Sequence, residues 1–339
     1  MNYIIDQLKK LMAIDSPSGF TGEVTQYTLE QFKELGYAPY LTNKGCVVCD
    51  LGGEKNPLIL SAHIDTLGGM VAEIKKNGRL RITNIGGLNA NNCETENCRI
   101  RTRPGKTFEG TLQMNDPSIH VNGTYSKQDR TFEGMEIVLD EDIKEKKDTE
   151  AMGICNGDFV CFDPRTTFTG SGYIKSRFLD DKLSVAILLG LAKDIREKKL
   201  QLKRKIYVFI TAYEEVGHGA SGALPADAEE IISVDMGCIG EGLACNEHMV
   251  SICAKDSAGP YDYEVTTNLI RYAENGKLGF AVDVYPHYGS DADAALTAGY
   301  DLKHGLIGPG VYASHGYERS HIDGVNNTLK LLEMYIKQE

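Results

Sequence analysis

The stretch KIYVFITAYEEVGHGASG, residues 205–222, decides how this chain folds. It opens as a short apolar run rich in β-branched and aromatic residues, the composition of a strand buried on both faces. It then ends in two adjacent carboxylates, Glu214 and Glu215, which a buried strand alone does not explain. Three other apolar runs end in the same way. PLILSA leads into His63 and Asp65, EEIISV into Asp235, and HGLIGPGVYAS into His315. Between such runs lie helical patterns, notably FLDDKLSVAILLGLAKDIREKK, which carries Asp180 and Asp181 at its start. Strands alternating with helices predict an α/β fold, a doubly wound mixed sheet flanked by helices. In open sheets of this kind ligands bind beyond the carboxyl ends of the strands. The acids and histidines are therefore expected to meet on one rim.

The α/β pattern stops near residue 66 and resumes near 173 in the same style. Residues 67–172 carry short alternating runs such as RLRITNIGG, CRIRTRP, TFEGTLQM and FEGMEIVLD, punctuated by turn residues. They predict a small all-β domain, barrel-like, inserted into one α/β domain made of 1–66 and 173–339. Within the insert EDIKEKKDTE reads as a solvated charged loop or helix face. MNYIIDQLKKLMAIDS has its apolar residues at helical spacing and reads as an amphipathic first helix, not a signal peptide. TGEVTQYTLEQFKELGY reads as a second helix with Thr21 as N-cap and Gly36 as its stop, and NTLKLLEMYIKQE as a closing helix.

The 339 residues are 42% hydrophobic and 25% charged, an ordinary globular composition. A formal net charge of −12 repels phosphate backbones and argues against a nucleic-acid partner. No apolar run approaches the ~20 residues that span a bilayer, so no membrane role is expected. Nine cysteines, an odd number without a framework, suit a reducing compartment, and a cytoplasmic location is the expectation. Cys46 and Cys49 have a zinc-like spacing, but three residues apart on a strand they face opposite ways. Cys93 and Cys98 have no second pair nearby to complete four ligands.

Two histidines and several carboxylates cannot gather without a counter-charge. Divalent cations supply one, and imidazole with carboxylate suits zinc, cobalt or manganese better than calcium. His63, Asp180, Glu215, Asp235 and His315 are five candidate ligands, enough for two metal ions if one carboxylate bridges them at ~3.5–4 Å separation. On an extended backbone Glu214 and Glu215 diverge, so one can bind metal while the other acts as general base. Asp65 is placed to take the ring N–H that a metal leaves free on His63.

These residues and the motifs around them carry a resemblance. SPSGFTGEV, AHIDTLGGMV, RFLDDKLSVA, TAYEEVGHGASGA, ISVDMG, AGP, GSDADAALTAG and LIGPGVYASH occur in an order that resembles metallopeptidase family forty-two, the TET-type dinuclear zinc aminopeptidases that include glutamyl and leucyl aminopeptidases. The resemblance spans nearly the whole chain. It implies a zinc-exopeptidase fold, a peptide substrate, and two divalent metal ions per subunit. It further implies Asp180 as the bridge (Asp181 the alternative), and His63, Glu215, Asp235 and His315 as terminal ligands. Glu214 would be the base and Asp65 the orienting carboxylate. It also implies an inserted β-domain used for dimer contacts, and a homo-oligomer that in relatives reaches a hollow tetrahedral dodecamer.

The chain departs from the family pattern at Thr66, where an acidic residue is usual, and at HGYERSHIDG, where Ser-Pro usually follows the last ligand. His321 is therefore the alternative to His315. Asp291 in GSDADAA either faces the substrate amine or caps a helix. His218 either lines the substrate pocket or is simply solvated. Two rival readings share this chemistry, a metal-dependent carboxypeptidase or amide deacylase and a non-catalytic metal-stabilised assembly subunit. A carboxypeptidase needs an arginine for the terminal carboxylate, and Arg319 is the nearest.

Overall fold

A computed structural model describes residues 1–337. The chain divides into two compact units, one formed by Met1–Asp65 with the segment from Arg165 onward, the other by Thr66–Pro164.

The larger unit holds a mixed sheet of twelve strands. Its centre runs Ile206–Thr211, Leu58–His63, Glu230–Val234, Lys303–Tyr312, all parallel to their neighbours. The register sets Thr211 beside His63 and Val234 beside Ile307. The first three strands thus end at one edge, and Glu214, Glu215 and Asp235 follow directly. Leu58–His63 and Glu230–Val234 are buried at every position. Parallel strands covered on both faces lose the polar half of the usual alternation, hence the unbroken apolar runs.

The two faces pack separately. Leu58 and Leu60 join one cluster with Leu8 and Leu11 of the helix Asn2–Met12, Leu188 of the helix Leu179–Glu197, and Leu332 of the last helix. Ile59 joins the opposite cluster with Phe209, Ile231 and Tyr285. Cys49 belongs to the first cluster and Cys46 to the second, as the period of two requires, and both are buried free thiols.

Antiparallel strands extend the sheet. Val47–Gly52 pairs with Ile206–Thr211, and Val250–Lys255 with Lys303–Tyr312. Beyond them Glu318–His321 pairs with Tyr173–Ser176, which in turn pairs with Thr167–Phe168. That hairpin begins before residue 173. Its short alternating strands look like those of the insert, so patterning alone does not separate them.

The smaller unit is a closed barrel, in the order Gly68–Ile74, Leu80–Ile85, Met135–Leu139, Thr107–Met114, Asn97–Arg101, Phe159–Phe162. Its described pairings are antiparallel. Part of the charged run forms a short helix, Lys146–Met152, opened by reciprocal hydrogen bonds of Glu145 and Asp148. Cys93 and Cys98 are buried free thiols in this unit.

The last helix starts at Ile322, ahead of the apolar periodicity that marks it from Asn327. His321 caps it, its ring accepting the Asp323 N–H, a role that sequence rules assign to Ser, Thr, Asp or Asn.

Gly308 shows how closely the strands beside the rim approach. A Cβ there would lie 1.7 Å from the Asp235 carbonyl oxygen. Gly308→Ala must push the Asp235 segment away, and a loss of about 1–3 kcal/mol is expected. Urea unfolding of the two proteins measures it, and an unchanged midpoint would contradict the packing described.

Candidate active site

The rim is built from segments far apart in sequence. His63 ends its strand and Asp65 follows two residues later. Glu214 and Glu215 lie not on extended backbone but in a single 3-10 turn, Glu214–Val216, closed by Gly217 at φ +81°. The turn forms because Asp65 holds it. Its carboxylate accepts the N–H of Glu214 at 3.1 Å and of Glu215 at 3.3 Å, and the Ser18 hydroxyl at 2.5 Å. The two glutamates diverge all the same. Glu214 Oε2 lies 3.7 Å from His63 Nε2, whereas Glu215 Oε2 lies 3.6 Å from His315 Nε2.

Asp65 orients His63 by another route than expected. The ring Nδ1 meets the Asp65 backbone carbonyl at 3.0 Å, and the carboxylate is 3.7 Å away, occupied with the glutamate turn. A carbonyl only accepts, so Nδ1 carries a proton and Nε2 is the ring nitrogen that faces the rim.

Asp180 sits between the two histidines, with Oδ1 3.0 Å from His63 Nε2 and Oδ2 3.6 Å from His315 Nε2. The Asp180–Asp181 peptide bond is cis. Asp181 Oδ2 accepts the His63 N–H at 3.1 Å, and its Oδ1 is buried with no hydrogen-bond partner. Asp235 Oδ1 accepts the Met236 N–H at 2.6 Å, and the Asp235 carbonyl takes the Ser184 hydroxyl.

His321, the alternative to His315, lies elsewhere. Its Nε2 is 2.8 Å from the Ser171 carbonyl and its ring packs against Tyr173 and His248. The reason is the strand Glu318–His321, which carries the chain away from the rim after His315. Glu318 was not anticipated. It is buried, and its two oxygens accept the N–H groups of His315 and Asp180, each at 3.1 Å. The only sequence signal for it is that it is the first acid after His315.

Burial dominates the electrostatics. It pushes Glu214, Glu215 and Asp181 well above the usual carboxylate range, and the neighbouring acids add to this. Asp235 is pushed up to about 7 by burial and by Asp180. His63 is lowered by burial, but its hydrogen bond to Asp180 and the charges of Glu214 and Asp235 outweigh this and hold it well above its ordinary value. Asp180, also buried, is held below its ordinary value by His63 and His315.

A cavity of about 800 Å³ opens onto these groups. Asp180, Glu214, Glu215, Asp235 and His315 form one wall, and Met236, Cys238, Tyr288, Asp293 and Thr297 stand among the others. His218 also lines it and stacks on Tyr213 with ring centroids 5.1 Å apart. Asp291 borders the cavity, but its oxygens accept the Ala220 N–H at 2.8 Å and the Thr211 hydroxyl at 2.5 Å, bracing the turn to its strand. It does not cap the helix Asp291–Thr297, because Ser290 and Asp293 do so reciprocally. Arg319 is spent elsewhere, over the Tyr173 ring and 3.2 Å from Glu247.

The donor set fits divalent cations. His63, Asp180 and Glu215 offer ligand atoms within 4.8 Å of one another, as do His63, Asp181 and Asp235. The carboxylates' ion pairs run to His63 and His315, and Asp181 Oδ1 is a buried acceptor without a donor. A cation is what such a cluster of acceptors needs.

A sequence profile described as M42 glutamyl aminopeptidase matches residues 45–331. The chain is 45% identical over 335 residues to the putative aminopeptidase YhfE of Bacillus subtilis (strain 168), covering 98% of this chain and 97% of that one. Among solved structures, aminopeptidase APDkam598 from Desulfurococcus kamchatkensis superposes with a TM-score of 0.87 at 22% identity, covering 99% of this chain and 95% of its own. The Pyrococcus horikoshii TET1 peptidase, described as assembling into a tetrahedron or a large octahedral shell, gives 0.86 at 20% identity, covering 99% and 100%.

Stripping metal should make stability fall with rising pH. Glu214, Glu215, Asp181, Asp235 and His63 all have folded-state values above their unfolded ones. Each contributes stability that is present below the unfolded value and lost as pH rises through the folded one. Asp180, lowered, titrates in the acid range and does not alter this window. Chelator-treated protein is therefore expected to lose Tm between pH of about 6 and about 8, and saturating metal should abolish the slope. Scanning calorimetry at several pH values reads it. A flat Tm in the stripped protein would count against a desolvated acid cluster.

Proposed function

The chain belongs to the M42 glutamyl aminopeptidase family, and from that premise we propose how its own residues do the work. The protein is an aminopeptidase, a hydrolase of the metallopeptidase type that removes N-terminal residues from peptides. In our reading His63, Asp180, Glu215, Asp235 and His315 hold two divalent cations, with Asp180 between them and zinc the first candidate. The observation that carries this is the placement of Asp180, one oxygen toward each histidine.

Cations at such a centre acidify water and polarise a carbonyl. Glu214, left over from that set, faces the cavity and takes the proton of the attacking water. It then returns the proton to the nitrogen of the leaving peptide. Asp65 positions this base through the backbone of the turn, and Glu318 positions Asp180 and His315 in the same manner. The cavity's acids receive the free α-amine of the substrate, which makes the action exo.

We further propose a homo-oligomer in the cytoplasm, built from dimers through the barrel unit and extending to a tetrahedral dodecamer. The description of the Pyrococcus horikoshii relative as a tetrahedral assembly supports that size.

Glu214→Gln should lower kcat about 10²–10⁴-fold while leaving metal content and KM near wild type. Turnover that survives the change would remove Glu214 from the role of base.

The cavity also bears on the first residue of the substrate. Its lining includes Asp291 and Asp293 but no lysine or arginine. Among the described residues a glutamyl side chain would find no lysine or arginine there to pair with. Leucyl and lysyl anilides are expected to exceed glutamyl anilide in kcat/KM by about tenfold or more, the cost of one unpaired charge. A preference for the glutamyl compound would overturn this.

A further inference from the structure

Away from the cavity, the turn before the strand Val250–Lys255 presses on the start of the last helix. The approach is close because residue 324 is glycine. A Cβ there would lie 2.4 Å from the Glu247 carbonyl oxygen and 3.1 Å from that of Met249. Asn327 Nδ2 donates to the His248 carbonyl at 2.9 Å, and the His248 N–H is taken by Asn246 Oδ1 at 3.0 Å. The backbone of His248 is therefore fixed at both of its polar groups, and its ring is delivered to the helix start. There it lies against the His321 ring, with centroids 4.0 Å apart.

Three atoms converge at this point. Asp323 Oδ2 is 2.9 Å from His248 Nδ1 and 3.2 Å from His321 Nδ1. The protonation of His321 follows from its other contacts. Its Nε2 faces the Ser171 carbonyl at 2.8 Å and must donate to it. Its Nδ1 accepts the Asp323 N–H at 3.0 Å, so it carries a lone pair. That nitrogen and the Asp323 carboxylate oxygen, which His248 Nδ1 also reaches, lie 3.2 Å apart, and a cation held here would take the lone pair over from the Asp323 N–H. His248 can present a lone pair as well, because its Nε2 lies 3.4 Å from the Tyr173 hydroxyl, which accepts or donates. Arg319 is held by Glu247.

We propose that His248, His321 and Asp323 form a binding site for one divalent transition-metal ion, separate from the catalytic rim. The three ligand atoms lie within 4.8 Å of one another. A tetrahedral zinc with bonds of about 2.0–2.2 Å spaces its ligands about 3.3–3.5 Å apart, somewhat more than the 2.9 and 3.2 Å from Asp323 Oδ2 to the two rings. Two imidazoles and one carboxylate select zinc, cobalt or nickel over magnesium and calcium. The Ser171 carbonyl is the outer partner that fixes the His321 tautomer. His248 and Asp323 have side chains 44% and 58% exposed, so water can reach the ion and fill its remaining position. The ion would clip the 246–249 turn to the last helix at the far end of the strand that bears Glu318.

The test compares the full-length protein with His248→Ala and Asp323→Asn, none of which alters the catalytic rim. Each is equilibrated with excess zinc chloride, freed of unbound metal by gel filtration, and analysed for zinc per chain by mass spectrometry. Aminopeptidase activity, expected to be unchanged, reports that the variants are folded. The wild type should hold one zinc per chain more than either variant. Equal content in an active variant and the wild type would overturn the site. The comparison is a difference, so it stands whatever number of ions the catalytic rim takes.

Discussion

The structure turns on one constraint. Several carboxylates are brought into a dry rim by strands that cannot be displaced without breaking the core. Parallel strands deliver their ends to one edge, and the apolar faces that cover them exclude the water that would otherwise screen the acids. The protein manages this with backbone N–H groups where it can. Asp65, Asp235, Asp291 and Glu318 each accept at least one main-chain N–H, which satisfies those oxygens and fixes their neighbours. What backbone donors leave over is the set facing the two histidines, and that remainder is where cations belong. Asp235 belongs to both groups, since it accepts the Met236 N–H and also lines the cavity.

Asp65 illustrates how one side chain organises others. It fixes His63 through its carbonyl and the Glu214–Glu215 turn through its carboxylate. It is tied in turn to Ser18 of the first loop. The geometry of the base and that of the nearest histidine are therefore not independent. A disturbance at Ser18 reaches both without touching either.

Much of this was legible in the sequence, and the limits have physical causes. The buried strands announced themselves as unbroken apolar runs, and the acids at their ends marked the rim. The barrel was recognisable from alternation and turns. Its return point was not, because the Thr167–Ser176 hairpin has the same alternation while pairing in the other sheet. The glutamate pair was read on extended backbone, whereas Asp65 draws it into a turn; no local propensity shows a hydrogen bond made across 149 or 150 positions. Glu318 was missed for a similar reason, since its partner Asp180 is 138 residues away. His315 was favoured because it directly ends its strand and the LIGPGVYASH match selects it, with His321 the alternative, and the short strand between them carries His321 away from the rim.

The order of the rim residues along the chain has a consequence for synthesis. His63 and Asp65 are made early, the barrel follows, then Asp180, the glutamate pair and Asp235, and His315 comes near the end. The contacts of Asp180 with His63 and His315, and of Glu215 with His315, span long stretches of sequence, so each closes a large loop and forms late. A chain made only as far as Asp235 lacks His315, and with it a partner of Asp180 and of Glu215. A centre built this way comes together only once His315 has been made, after every other residue of the set.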